Sequence, residues 1–170
     1  MEIWDDNEFP LAYFITFRTY GSWLHGDERG SIDRYHNIFK GPRVPENPVL
    51  KKQHETKLKS GHVTLNAAQR KAVGDSIQET CEYRCWGLRA INIRTNHAHV
   101  VVSAATTPDR ILKDIKAYST RLLRSLGLWD FEHSPWADGG SKRYLWKEIN
   151  VWNACDYVLN GQGRDLPESF

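Results

Sequence analysis

A chain of 170 residues, 40% hydrophobic and 26% charged, holds enough apolar material for one domain with a real core. It has no apolar run long enough to cross a membrane, and its acidic start, "MEIWDDNEFP", lacks the basic and apolar segments of a signal peptide, so a single cytoplasmic domain over 1–170 is expected. A net charge of +2 announces no polyanion by bulk charge, and three cysteines, Cys81, Cys85 and Cys155, imply no closed disulfide framework.

In chain order, "LAYFITFRTYG" (11–21) reads as a strand, with Tyr13, Ile15 and Phe17 on one face and Phe14 and Thr16 on the other. The Gly-rich stretch 21–34 and the proline-bearing stretch 35–49 read as loop, with a short helix starting at Asn47-Pro48 and stopped by Gly61. A helix follows from about Leu65 to Tyr83, capped by Thr64, with Leu65, Ala68, Ala72, Val73, Ile77 and Cys81 on one stripe. Cys81 and Cys85 form one pair without a second, a weak zinc signal, and are read as packing residues. "CWGLRAINIR" (85–94) reads as a strand with Leu88, Ala90 and Asn92 facing one way, and a second strand (96–103) follows at once, which suits an antiparallel pair. The segment 107–127 is the clearest helix: Thr107 caps it, Pro108 opens it, Asp109 complements the dipole, Ile111, Ile115, Leu122 and Leu126 repeat at helical spacing, and Gly127 ends it. Residues 136–146 read as a hairpin or a loop entering a strand, and 147–163 as a last helix closed by Gly161. The order predicts an α+β fold: a ferredoxin-like or RRM-like antiparallel sheet with helices packed on one face.

Charge is concentrated locally. Six Lys/Arg fall between Lys40 and Lys59, and the helix 107–127 carries Arg110, Lys113, Lys116, Arg121 and Arg124. Either run alone suits a solvated face. Together with seven Trp and seven Tyr they suit a groove that contacts phosphates and stacks bases.

"TNHAHVVV" (95–102) is the segment that bears chemistry. Side chains two apart on a strand share a face, so His97 and His99 point the same way and can chelate one metal ion. Tyr118 lies 21 residues after His97, on the basic helix. A tyrosine hydroxyl beside a metal-polarised phosphodiester is a covalent nucleophile, with cations nearby to offset developing charge. Tyr118 also falls at the edge of the apolar stripe of its helix, where a packing role accounts for it equally.

These features resemble a known family. "NHAHVVV" is similar to the His-hydrophobic-His motif of the HUH single-tyrosine transposases, the small enzymes of single-strand insertion sequences and their REP-associated relatives. "ILKDIKAYSTRLL" resembles the tyrosine helix of that family, and "AYFITFRTYGSWLHGD" and "GSKRYLW…YVLNGQG" resemble flanking segments of one branch, so the likeness runs from about Leu11 to Gly163. The resemblance implies an RRM-like fold, a homodimer, and cleavage of hairpin-marked single-stranded DNA through a 5′-phosphotyrosine with a free 3′-hydroxyl. It implies Mg2+ or Mn2+, with His97 and His99 as metal ligands, Tyr118 as nucleophile, and the cations of the 107–127 helix on DNA. In that family a polar residue one turn after the tyrosine completes the metal site. Here that position is Leu122, which cannot ligate, so the third ligand must come from elsewhere, for example His25, Asp27 or water.

Two other functions fit the same residues. One is a DNA-binding protein of the same fold that does not cut, which Leu122 favours. The other is a zinc hydrolase using His97, His99 and His133 or Asp138, although no His-Glu-x-x-His motif is present.

Overall fold

Strand β1 (Ala12–Arg18) is apolar on both sides, and it lies inside the sheet with both sides covered. The computed structural model describes residues 8–22, 48–49 and 61–163. After β1 come α1 (Ala67–Tyr83), β2 (Gly87–Ile93), β3 (His97–Ser103), α2 (Pro108–Ser125), β4 (Ser141–Leu145) and α3 (Glu148–Asn160). The strands form one four-stranded sheet in the order β2-β3-β1-β4, with every pairing antiparallel. This is the α+β arrangement that the element order predicts. No described helix is long and apolar enough to cross a membrane.

The two faces of the sheet bury different sets. Tyr13, Ile15 and Phe17 of β1 and Ala98, Val100 and Val102 of β3 meet Val73, Ile77 and Cys81 of α1 and Ile111, Ile115 and Leu123 of α2. The alternate residues, Ala12, Phe14, Val101 and Leu145, meet Ala154 and Val158 of α3. Thus α1 and α2 share one face, and α3 lies on the other. The sequence pattern placed all the helices on one face. It could not show this division, because the central residues of the two strands, Tyr13, Phe14 and Ile15 of β1 and Val100, Val101 and Val102 of β3, are apolar on both sides.

Local chemistry sets the element ends. Asn66, not Thr64, caps α1: its side chain accepts from the Gln69 N–H while the Gln69 side chain accepts from the Asn66 N–H. Helix α2 begins as expected, with Thr107 as cap and Pro108 in the first turn, and Gly127 just beyond it takes a φ of 67°. A register shift between Leu88 and Ala90 puts Leu88 against the larger core and Ala90 in the smaller one, so these two do not share a face as the alternation predicted. Strand β4 pairs with β1, and the segment before it enters a strand instead of forming a hairpin of its own. Pro48 and Val49 are helical, and the rest of the short helix expected there lies outside the described residues, as do the loop 23–34 and the basic run from Lys40 to Lys59.

Candidate active site

Strand β3 carries both histidines. His97 and His99 alternate with Ala98 and Val100, so the small and branched side chains enter the larger core while the two imidazoles share the opposite face, as their spacing predicts. Their ring centroids are 4.8 Å apart at 74°.

Each ring is fixed by a neighbouring side chain. His97 Nδ1 lies 2.7 Å from Asn96 Oδ1, and His99 Nδ1 lies 2.8 Å from Oγ1 of Thr16, its cross-strand partner on β1. His99 is buried. Burial first, then the neighbouring His97, push its pKa down to about 4; Arg18 and Arg94 act in the same sense, and a hydrogen bond with the Gln162 side chain acts against them. His99 is therefore neutral at neutral pH, the form in which imidazole ligates metals.

Helix α3 brings a tyrosine to this face. The Tyr157 ring lies 5.8 Å from His99 at 71° and 6.0 Å from Phe14 at 69°, and Phe14 lies 5.6 Å from His99. Tyr157 is 48% exposed, so one side is seated on these rings and the other is open to solvent. Asn92, paired with His99 across β2 and β3, donates to the Val158 carbonyl at 2.9 Å and ties α3 to the sheet. At the helix end the Gly161 N–H donates to the Tyr157 carbonyl at 2.9 Å, and a Cβ at Gly161 would come within 2.8 Å of that oxygen and of the tyrosine ring. The Gln162 amide nitrogen also donates to the Tyr157 carbonyl, at 3.2 Å. Its amide oxygen is the group able to accept from the His99 ring, in keeping with the upward pull on the His99 pKa.

Tyr118 is elsewhere. Helix α2 covers the opposite face, and Tyr118 sits there in a shallow groove of about 380 Å³ lined by Ser76, Thr80 and Tyr83 of α1 and by Leu122. The Arg121 guanidinium lies 4.9 Å from the centre of its ring. The sheet stands between Tyr118 and the histidines, so within one chain the expected pairing of the two is not formed. Two of the expected DNA-binding cations are engaged with backbone carbonyls. Lys116 Nζ donates to the carbonyls of Ala137 and Gly139, and burial lowers its pKa to about 8. Arg124 donates to the Phe131 and Glu132 carbonyls at 3.1 and 2.6 Å. Arg110, Lys113 and Arg121 are exposed, but on the α2 side. The cations that act on His99 are Arg18 and Arg94, at the ends of β1 and β2.

Further ligands were expected from four residues. His25 and Asp27 lie outside the described residues. His133 packs 4.4 Å from Tyr20, with Nδ1 on the Ser134 carbonyl, and exposed Asp138 acts on Lys116. Among the described residues no group of three or more His, Cys, Asp or Glu is placed to hold a metal, so the zinc-hydrolase set is not assembled there. A further oxygen donor beside His99 is the Gln162 amide, which is not among the residues expected from the sequence. Tyr157 is followed five residues later by Gln162, whereas Tyr118 is followed one turn later by Leu122.

No protein-family model matches the chain, and no curated protein matches it in sequence. In structure the chain is similar to a candidate transposase from Deinococcus radiodurans R1, with a TM-score of 0.47 and 11% identity over 94% of this chain and 97% of that one. It is also similar to a REP-associated tyrosine transposase solved bound to a REP hairpin, with a TM-score of 0.47 and 11% identity over 93% of this chain and 70% of that one.

Proposed function

We propose that this protein cuts and rejoins hairpin-bearing single-stranded DNA through a covalent phosphotyrosine, with Tyr157 as the nucleophile. The observation that carries this reading is the Tyr157 ring set 5.8 Å from His99 on the face that His97 and His99 share. The "NHAHVVV" strand and the "YVLNGQG" tail, the two segments that meet here, are among those that resemble the single-tyrosine transposases.

The residues fit a divalent ion. His97, His99 and Gln162 offer two imidazoles and one amide oxygen, a set without carboxylate or thiolate that would suit Mn2+ or Mg2+. An ion held there would supply positive charge to the phosphate. The remaining work falls to the protein's own groups. Arg18 and Arg94 hold the phosphate through charge. The Tyr157 hydroxyl gives up its proton as its oxygen bonds to phosphorus. The bond from phosphorus to the 3′-oxygen breaks, that oxygen takes a proton, and one strand leaves with a 3′-hydroxyl while the 5′-phosphate stays on the tyrosine. Attack by a 3′-hydroxyl reverses the sequence and joins strands.

The test is to incubate the protein with labelled hairpin DNA and Mn2+ and to read covalent adduct on a denaturing gel. Adduct with wild type, and none with His97→Ala, is the expected result. DNA binding without adduct in Mn2+, or in Mg2+ in a parallel reaction, would instead make the protein a non-cleaving binder of the same fold.

A further inference from the structure

Both histidines have one ring nitrogen engaged by a side chain that the proposed chemistry leaves without a role. We infer that Asn96 and Thr16 are positioning residues for the ion site: Asn96 fixes His97 in the tautomer with hydrogen on Nδ1 and the lone pair on Nε2, and Thr16 supports His99 in either tautomer. This inference rests on the metal reading of the histidine pair.

The two partners differ in what they allow. Asn96 Oδ1 only accepts, so the 2.7 Å contact requires hydrogen on His97 Nδ1 and leaves the lone pair on Nε2. The carrier of that oxygen is itself held. The Asn96 carbonyl accepts from the Thr19 N–H at 3.0 Å. Its backbone is thus tied to the segment after β1 by a bond that does not involve its side chain. Thr16 is different, because a hydroxyl both donates and accepts. It donates to His99 Nδ1 when the other ring nitrogen carries hydrogen for the Gln162 oxygen, and it accepts from Nδ1–H when Nε2 faces an ion. A cross-strand position within a paired register sets the contact, at 2.8 Å. Such partners of metal-bound histidines orient the ring, and their loss typically weakens metal binding by about 10–100-fold.

The experiment measures Mn2+ binding by electron paramagnetic resonance of the free ion, thermal melting, and imidazole 15N shifts of the metal-free protein. The proteins are wild type, Thr16→Val, Thr16→Ser and Asn96→Ala. Thr16→Val and Asn96→Ala each weaken Mn2+ by about 10-fold or more, Thr16→Ser stays near wild type, and the melting temperatures of all four stay close together. In wild type the His97 shifts report hydrogen on Nδ1, and in Asn96→Ala that preference is lost. Wild-type Mn2+ affinity in Thr16→Val and Asn96→Ala, or hydrogen on Nε2 of His97 in wild type, overturns the inference and leaves the metal reading standing. No Mn2+ binding by wild type overturns both.

Discussion

Tyr157 and Tyr118 stand on opposite sides of one sheet: Tyr157 against His99 under α3, and Tyr118 in the groove between α1 and α2. The β layer between them, buried on both faces along β1 and β3, admits no path by which one nucleophile could replace the other within a chain.

Tyr118→Phe is therefore expected to leave the proposed reaction intact. The variant loses one hydroxyl from a half-buried ring and keeps the ring's packing. Adduct yield on hairpin DNA is expected to stay within about two-fold of wild type, and a denaturing gel reads it. Loss of adduct with Tyr118→Phe would require the α2 tyrosine of a second protomer at the histidine face.

The phosphate contacts are expected on the histidine face. Arg18→Ala and Arg94→Ala should each lower the slope of log affinity against log salt by about 0.7–0.9, the effect of one phosphate contact on single-stranded or duplex DNA. Arg110→Ala and Lys113→Ala, on the α2 side, should leave the slope unchanged. Fluorescence anisotropy across a salt series reads all four. A loss of slope confined to the α2 pair would move the DNA to the other face.

Gly161 is expected to set the tyrosine. Its Cβ-free approach to the Tyr157 ring and carbonyl, within 2.8 Å for an added carbon, means that Gly161→Ala must shift the ring or the helix end. Misplacing a reacting atom by about 1 Å can cost on the order of 100-fold. Single-turnover cleavage should fall by more than about 10-fold, with DNA affinity held. An unchanged rate would show that the ring tolerates the shift.

Lys116 gives a pH dependence with a definite sign. Burial lowers its pKa from 10.5 to about 8. Below about pH 8 it is charged in both folded and unfolded chains, and the burial penalty is full. Between about 8 and 10.5 the unfolded chain holds more protons, so the contribution of this residue to stability rises with pH. In urea denaturation, the stability of wild type relative to Lys116→Met should increase from pH 7.5 to pH 10. A flat or falling difference would contradict the buried position.

The sequence made some of this legible and hid the rest for physical reasons. His97 and His99 were readable because strand alternation is geometric and independent of context. The α2 boundaries were readable because Thr107, Pro108 and Gly127 act locally. The side of the sheet taken by α3 was not readable, since Phe14 and Val101 are as apolar as Ile15 and Val100. With the sides unassigned, a strongly amphipathic basic helix drew attention to Tyr118, although Leu122 already disagreed with a metal site there. The carbonyls that engage Lys116 and Arg124 were not readable, because sequence shows charge without showing what the charge bonds to.

The most direct measurement is the identity of the tyrosine that carries DNA. Wild-type protein is reacted with hairpin DNA and Mn2+, the adduct is digested with protease and nuclease, and the residual 5′-phosphonucleotide is located by peptide mass spectrometry. The expected result is the nucleotide on Tyr157, with no adduct from Tyr157→Phe while that variant still binds hairpin DNA. A nucleotide on Tyr118, or undiminished adduct from Tyr157→Phe, would contradict the assignment of Tyr157 as nucleophile.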